Sequence, residues 1–277
     1  MKVNQLLKLL SICSVVFFVF VSCNKNTDIV TTQTDQMVED HQTISDETEA
    51  IFAYQNSLVG GFGNMRLAAT DSLGKNLKLD NCATTKTTTT NGITTVVVDF
   101  GAVRTCNNKM VGGKMTITIP AKPTTGLFTQ TVVYQDFQQG AKKINGKQTM
   151  TIVLENGKPI TKESFTQTTI TLENGKVITF ESTKSRRMDM KGTISSGDDE
   201  VLMSGTTTAV SSDGKSFKST TIKDLLIKNA CFGTSGVLPV AGTIEIERTD
   251  KTKTTIDYGT GTCDRVYAVN GVEKTRK

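Results

Sequence analysis

Thr149-Met150-Thr151-Ile152-Val153-Leu154-Glu155-Asn156-Gly157-Lys158 alternates apolar and polar side chains and then stops at Asn-Gly. Successive side chains of an extended chain point to opposite sides. Met150, Ile152 and Leu154 therefore share one face, with Thr149, Thr151 and Val153 opposite. Asn-Gly favours the type I′ turn, whose twist matches two antiparallel strands. Asn91-Gly92, Asn145-Gly146, Asn174-Gly175, Asp213-Gly214 and Asn270-Gly271 read as further hairpin turns. Around them Ile170 and Leu172 alternate with Thr169 and Thr171, and Ile178 and Phe180 with Thr179 and Glu181. The pattern predicts further strands over 93–100, 113–119, 127–137, 201–210, 216–228, 241–248 and 252–258, and from residue 265 onward.

The expected fold is therefore all-β: a large antiparallel meander, a sandwich or an open barrel of about a dozen strands, with a Thr-rich outer face. Composition points the same way. The 277 residues include 46 Thr and 23 Gly but only 4 Pro, which suits strands and tight turns. Helical periodicity is absent after residue 60.

Charge divides the chain. Asn24 to Gln55 holds seven acids and one base, whereas Asn56 to Lys277 carries a net +9. Ser45 or Asp46 is placed to cap a short helix through Ala50 and Ile51 to Leu58, with acids near its N-terminus, where the helix dipole favours them. The expected organisation is a targeting segment over 1–22, a tether and short helix over 23–58, and a single β-rich domain over 59–277. The one histidine, His41, falls in the tether, so a His-based zinc site, a Ser-His-Asp triad or a Cys-His pair within the β domain is not expected. The lysines read as spread over solvent faces and sheet edges, where they block edge pairing. A basic sheet also suits phosphate-rich lipopolysaccharide or an acidic glycan. Scattered bases with few aromatics argue against nucleic acid.

Two internal echoes stand out. Leu154-Glu155-Asn156-Gly157-Lys158 returns eighteen residues later as Leu172-Glu173-Asn174-Gly175-Lys176, which suggests hairpin tips pointing the same way. Val98-Asp99-Phe100-Gly101, ending in Cys106, is matched by Ile256-Asp257-Tyr258-Gly259, ending in Cys263. A structural role is the expectation for both Asp residues; a glycosidase-like carboxylate pair is the alternative if the two ends meet.

Other candidates for chemistry are few. Gly197-Asp198-Asp199-Glu200 lacks the spaced pattern of a calcium loop and reads as a solvated turn. Lys184, Arg186, Arg187 and Lys191 form a basic segment that reads as the solvent face of a strand, with an anion site as the alternative. Gly60-Gly61-Phe62-Gly63 lacks the Lys-Ser/Thr of a phosphate loop. No metal or organic cofactor is expected.

The N-terminus sets the compartment. Lys2 and Lys8 lie in a short segment that precedes an apolar run from Leu9 to Val21, too short for a bilayer span and suited to a signal-peptide core. Phe20-Val21-Ser22-Cys23 resembles a bacterial lipobox, which implies cleavage before Cys23 and lipidation of its thiol. Phe20 and Ser22 depart from the usual Leu and Gly or Ala. Asn24, where inner-membrane retention has Asp, implies the outer membrane, and several acyl chains make that anchor stable. Four cysteines remain: Cys82, Cys106, Cys231 and Cys263. An even number in an exported domain reads as disulfides. Pairing neighbours in sequence closes loops of 24 and 32 residues, each worth about 3.5 kcal/mol in the chain-entropy model. Free thiols or a cross-pairing of the two ends are the alternatives. Asp71-Ser72-Leu73 resembles the acceptor of Bacteroidetes envelope O-glycosylation, which would place a glycan on Ser72.

Asn81-Cys82-Ala83, Val98-Asp99-Phe100-Gly101, Cys106 and Gly113-Lys114, with Asn229-Ala230-Cys231, Gly242-Thr243, Ile256-Asp257-Tyr258-Gly259-Thr260-Gly261-Thr262-Cys263-Asp264 and Asn270-Gly271, resemble an uncharacterised Bacteroidetes lipoprotein family. The likeness covers residues 75–272. Many relatives carry a second Cys after the first Asp-aromatic-Gly motif, where this chain has Asn107-Asn108. The resemblance implies an exported β-rich lipoprotein and brings no activity. The expectation is a non-enzymatic module on a lipid anchor that binds a glycan or an envelope protein, its oligomeric state open. An envelope polysaccharide enzyme using Asp/Glu pairs, or an assembly subunit adding strands to a partner sheet, are the alternatives.

Overall fold

Alternation of apolar and hydroxyl residues produces thirteen strands in one antiparallel sheet, each paired with its neighbours in sequence. The computed structural model describes residues 27–58, 82–106, 109–121, 127–189, 191, 197–231 and 239–275. A helix, α1 (Thr27–Leu58), precedes β1 (Thr84–Thr90), β2 (Ile93–Cys106), β3 (Lys109–Pro120), β4 (Phe128–Gln139), β5 (Lys142–Glu155), β6 (Lys158–Thr171) and β7 (Val177–Asp189). Then follow β8 (Glu200–Val210), β9 (Ser216–Lys228), β10 (Ala241–Arg248), β11 (Lys253–Thr260), β12 (Val266–Val269) and β13 (Val272–Thr275). Of the three all-β arrangements expected, this is the meander: one up-and-down sheet with β1 and β13 at its edges.

Asn91-Gly92, Asn156-Gly157 and Asn270-Gly271 are two-residue turns with both residues at positive φ, as a type I′ turn requires. Asn174-Gly175 and Asp213-Gly214 belong to longer turns closed by Leu172–Lys176 and Ser211–Lys215 backbone bonds. Asn145-Gly146 is not a turn. It lies inside β5, and the chain reverses instead at Gly140-Ala141. The strands run up to 14 residues, so a single strand, β6, separates the two Leu-Glu-Asn-Gly-Lys tips. They therefore lie at opposite ends of the sheet, not the same end. No strand is expected at β1 because Thr84–Thr90 offers no apolar alternation; its pairing to β2 is backbone-driven.

Gly146 shows why the sequence signal misleads. A Cβ there would lie 2.6 Å from the Thr168 Cα, so only Gly lets β6 approach. Asn145 Oδ1 accepts the Asp136 N–H at 2.7 Å, bracing a residue at positive φ on the next strand. This is one point on a line of bulges. Register shifts occur at Gly101 on β2, Gly113 on β3, Tyr134–Phe137 on β4, Asn145–Lys147 on β5 and Phe165–Thr168 on β6. Each bulge bends its strand and tightens the twist; aligned across five strands they form a crease.

The chain divides into Met1–Gln36 and Met37–Lys277. In the larger unit one hydrophobic cluster joins α1 to strands β2 through β12. Met37, Ile44 and Ile51 recur every two turns on the buried side of the helix and belong to the same hydrophobic cluster as Phe100, Phe137, Phe165, Phe180 and Ile246 of the sheet. The helix begins well before the expected Ser45 or Asp46. Residues 37–42, expected as tether, are helical, and Met37, Val38, Asp40 and His41 are buried. Polar residues on the buried side hide the helical pattern from an apolar count.

Replacing Gly113 with Ala tests the crease. Gly113 has φ +74° and its Cβ would meet the Asp136 carbonyl oxygen at 2.0 Å. Gly113→Ala is expected to lower the urea unfolding free energy by more than the roughly 1–3 kcal/mol of backbone strain alone. Gly157→Ala, at an open hairpin tip, is expected to lose only about 1 kcal/mol. Equal losses would mean that the crease is not a packing constraint.

Candidate functional site

Lys184 and Arg186 alternate with Thr183, Ser185 and Arg187 on β7, so both point inward. Glu163 on β6 lies opposite Lys184 and also points inward. Glu49 enters from α1. Arg186 donates both terminal nitrogens to Glu49, each at 2.6 Å, and its Nε to Glu163 at 2.5 Å. Lys184 donates to Glu49 Oε1 at 3.1 Å and to Thr48 Oγ1 at 2.5 Å. The Arg186 guanidinium also lies 4.3 Å from the Phe52 ring centre, where the ring's π face attracts a cation. A forked guanidinium held by two carboxylates is a strong, directional arrangement.

The contact continues along the helix. Asp40 accepts the Ser212 N–H at 2.7 Å and the Ser212 hydroxyl at 3.1 Å. Glu47 accepts from Lys142 at 2.8 Å. Gln55 donates to the Tyr134 hydroxyl and, at 2.6 Å, to Gln148 Oε1, which also accepts from Tyr134 at 2.6 Å. Gln130 donates to Gln55 at 3.3 Å.

Burial and charge set the protonation of this layer. Burial works to raise Glu49, but the Arg186 and Lys184 cations and their hydrogen bonds outweigh it and hold the carboxyl at about 2. Burial lowers Lys184, with Arg186 adding repulsion and Glu49 opposing the shift. Burial, with the Lys184 charge secondary, lowers His41 to about 4. His41 is therefore neutral at pH 7. Neither ring nitrogen hydrogen-bonds to another protein group. It borders a cavity of about 30 Å³ between α1 and β7–β10, also lined by Lys184, Gly205, Ser219 and Thr221.

The opposite face of the same strands carries a different surface. Thr149 and Thr151 of β5, Lys162 and Ser164 of β6, Thr183 and Ser185 of β7 and Ser204 of β8 line a shallow depression of about 400 Å³. Thr149 lies directly opposite Ser164, Thr151 opposite Lys162, Ser164 opposite Thr183, and Ser185 opposite Ser204. The floor is thus a lattice of hydroxyls, each both donor and acceptor. Lys162 pairs at its rim with Glu155 at 2.7 Å, both half exposed.

The sequence candidates fall as follows. Cys231 and Cys263 form a disulfide that ties the end of β9 to the β11–β12 loop. Cys82 is disulfide-bonded. Cys106 ends β2, and its side chain lies outside the described residues. So do the segment 1–22, Cys23, Gly60–Gly63 and Ser72. Asp99 and Asp257 each accept, at 2.8 Å, the backbone N–H of the Gly two residues on. Strands β3 to β10 separate these carboxylates, which shape the bulge on their own strands. Glu200 pairs with Lys191 at 2.6 Å. Among the described residues no group of three or more His, Cys, Asp or Glu is placed to hold a metal ion. Among them, too, no helix is long and apolar enough to cross a bilayer.

Two expectations need correction. The basic segment is not one solvent face: Lys184 and Arg186 are directed inward to Glu49, while Arg187 points outward to Asp224 at 3.4 Å. His41 is not in a free tether but in the buried helix–sheet layer. The signal for both was present in the opposite charges of the two segments, which meet as partners. No family profile, curated protein or solved structure matches the chain.

The buried layer should be acid-labile. His41 sits near 4 folded against an ordinary 6.5, so its neutral form stabilises the fold above pH 6.5, and that stability is lost as pH falls to 4. Glu49 adds a second loss from its ordinary 4.5 down to about 2. Each shift is worth on the order of 3 kcal/mol. Urea midpoints measured from pH 7 to pH 4 should fall steeply, and His41→Leu should flatten that part of the curve. Parallel curves for the two proteins would remove His41 as the cause.

Proposed function

We propose that this protein is a non-catalytic binding module of the cell envelope, lipid-anchored in the outer membrane, whose ligand is a glycan or glycan-bearing envelope component. The observation that carries this reading is the outward hydroxyl lattice of β5–β8. Sugar hydroxyls are recognised by groups that donate and accept, and Ser and Thr on a rigid sheet offer both without losing long-chain rotamer freedom. Lys162 at the rim supplies a charge for a carboxylate or phosphate on the ligand. The Glu49–Arg186–Glu163 layer beneath fixes β6 and β7 so that the lattice is pre-organised. Its charged groups are turned towards one another under the helix, which favours a structural over a catalytic part for them. The signal-like N-terminus, the Cys23 lipobox resemblance and the Cys231–Cys263 disulfide support an exported, anchored protein.

Two experiments test the two halves. Cys23→Ala should move the protein from the membrane fraction to the soluble fraction; continued sedimentation with membranes would end the anchor reading. Purified envelope polysaccharide and lipopolysaccharide from the producing cells should bind the wild-type protein. Ser164→Phe, which fills the depression, should weaken binding by about tenfold or more, ~1.4 kcal/mol, at an unchanged urea midpoint. Equal retention of both proteins would place the binding surface elsewhere.

A further inference from the structure

The two edges of the sheet are treated differently. β13 is four residues long, Val272-Glu273-Lys274-Thr275, and ends the sheet with a charged pair. Short length and charge are the usual protection against strand addition. β1 has neither. Thr84-Thr85-Lys86-Thr87-Thr88-Thr89-Thr90 is seven residues long, all exposed, without Pro or Gly. Its register with β2 runs unbroken from Thr84↔Asp99 to Thr90↔Ile93, so no bulge twists this edge away. Lys86 is its only charge. Six of the seven residues are Thr, whose branched side chain favours the extended state.

We propose that β1 is a self-association edge. Two copies of the chain pair antiparallel through Thr84–Thr90 about a two-fold axis at Thr87, and the sheet runs without a break from one copy into the other. A two-fold antiparallel pair must set one residue opposite itself, because neighbours in a strand point to opposite faces. An axis at Thr87 brings all seven residues into register, whereas an axis at Lys86 or Thr88 brings only five. Lys86 opposite itself would also set like charges directly against each other, which is unfavourable. With Thr87 at the centre, Lys86 faces Thr88 of the second copy. Thr84 faces Thr90 and Thr85 faces Thr89, pairs of the kind that stabilise neighbouring strands. The strand's own sequence is thus complementary to itself. It offers no large side chain for a partner's pocket to select, so a second copy fits it better than a foreign strand. This inference does not rest on the glycan reading, since the hydroxyl lattice lies on β5–β8.

Cysteine trapping in the full-length protein, in membranes or after mild detergent extraction, tests both the pairing and its register. Directly opposed residues lie about 4.5–5.5 Å apart at Cα, within the span a disulfide can bridge. Thr87→Cys should therefore give a covalent dimer on mild oxidation, seen on a non-reducing gel and confirmed by mass. Two copies of residue 85 would be four residues apart along the strand, about 13 Å. Thr85→Cys alone and Thr89→Cys alone should stay monomeric, while a mixture of the two variants should cross-link. A Thr87→Cys protein that stays monomeric, or is captured by a different protein, overturns the proposal. Equal self-cross-linking by Thr85→Cys and Thr87→Cys overturns it too, because it marks random collision.

Discussion

The fork of Arg186 on Glu49, backed by Glu163, is the contact on which the position of the helix depends. The apolar contacts alone do not fix it. Met37, Ile44 and Ile51 are spaced by seven, so a shift of two turns would set apolar groups over apolar groups again. Polar groups break that degeneracy. Asp40 pairs with Ser212, Glu49 with Arg186 and Lys184, and Gln55 with Tyr134 and Gln148. Sliding the helix would strand several buried groups at once. The desolvation penalty of such an ion pair offsets much of its attraction, so its main contribution is to register more than to net stability. Removing one partner is different, because the remaining charge stays buried.

This explains the odd composition of the helix. Its second buried row is His41, Thr48 and Gln55, again seven apart, and all polar. An apolar count sees only one weak stripe and ends the helix early. The same contact explains the charge division along the chain. Seven acids near the N-terminus and a basic sheet look like a tether beside a solvent-exposed Lys-rich domain. They are partly one interface, cut in two by sequence distance. Opposite net charge in consecutive segments was the legible hint; which acid meets which base required the register of β6 and β7.

Much of the sheet was legible because period-two alternation and Asn-Gly turns are local signals. Strands β5, β6, β7 and β9 follow from them, as does the all-β class, whereas the choice of a meander over a sandwich or barrel came from the strand order. What was not legible has a common cause. Asn145-Gly146 carries the same letters as Asn91-Gly92, yet one is a bulge and the other a turn. The difference lies in Thr168 on the neighbouring strand, which needs Gly146 to approach. Turn letters report what a backbone permits; packing decides how that freedom is used. The Asp-aromatic-Gly echo is a clearer case. Asp99 and Asp257 each accept from the Gly two residues on, and Phe100 and Tyr258 are both buried, so the repeat marks a repeated local shape. The hydroxyl lattice was half visible. Thr and Ser on alternate positions could be read from each strand, but their gathering into one depression depends on pairing across β5 to β8.

The sheet also poses a problem that the helix answers only in part. Thirteen antiparallel strands that do not close leave an inner face and two edges to be managed. The inner face is met by α1 and by the crease. The bulges from Gly101 to Phe165–Thr168 bend β2–β6, while the β8–β9 and β9–β10 pairings carry their own shifts at Met203/Thr206 and Thr243/Ile244. A flat sheet of this width would leave its outlying strands far from one helix. Bending lets residues as distant as Val98 on β2 and Val269 on β12 join one hydrophobic cluster. The edges cannot be solved by bending. β13 is short and charged, whereas β1 keeps a straight, seven-residue run of exposed backbone beside Val96 and Val98. Where the rest of the sheet uses bulges to adjust its pairing, the uninterrupted register of β1 preserves the geometry that another strand would need.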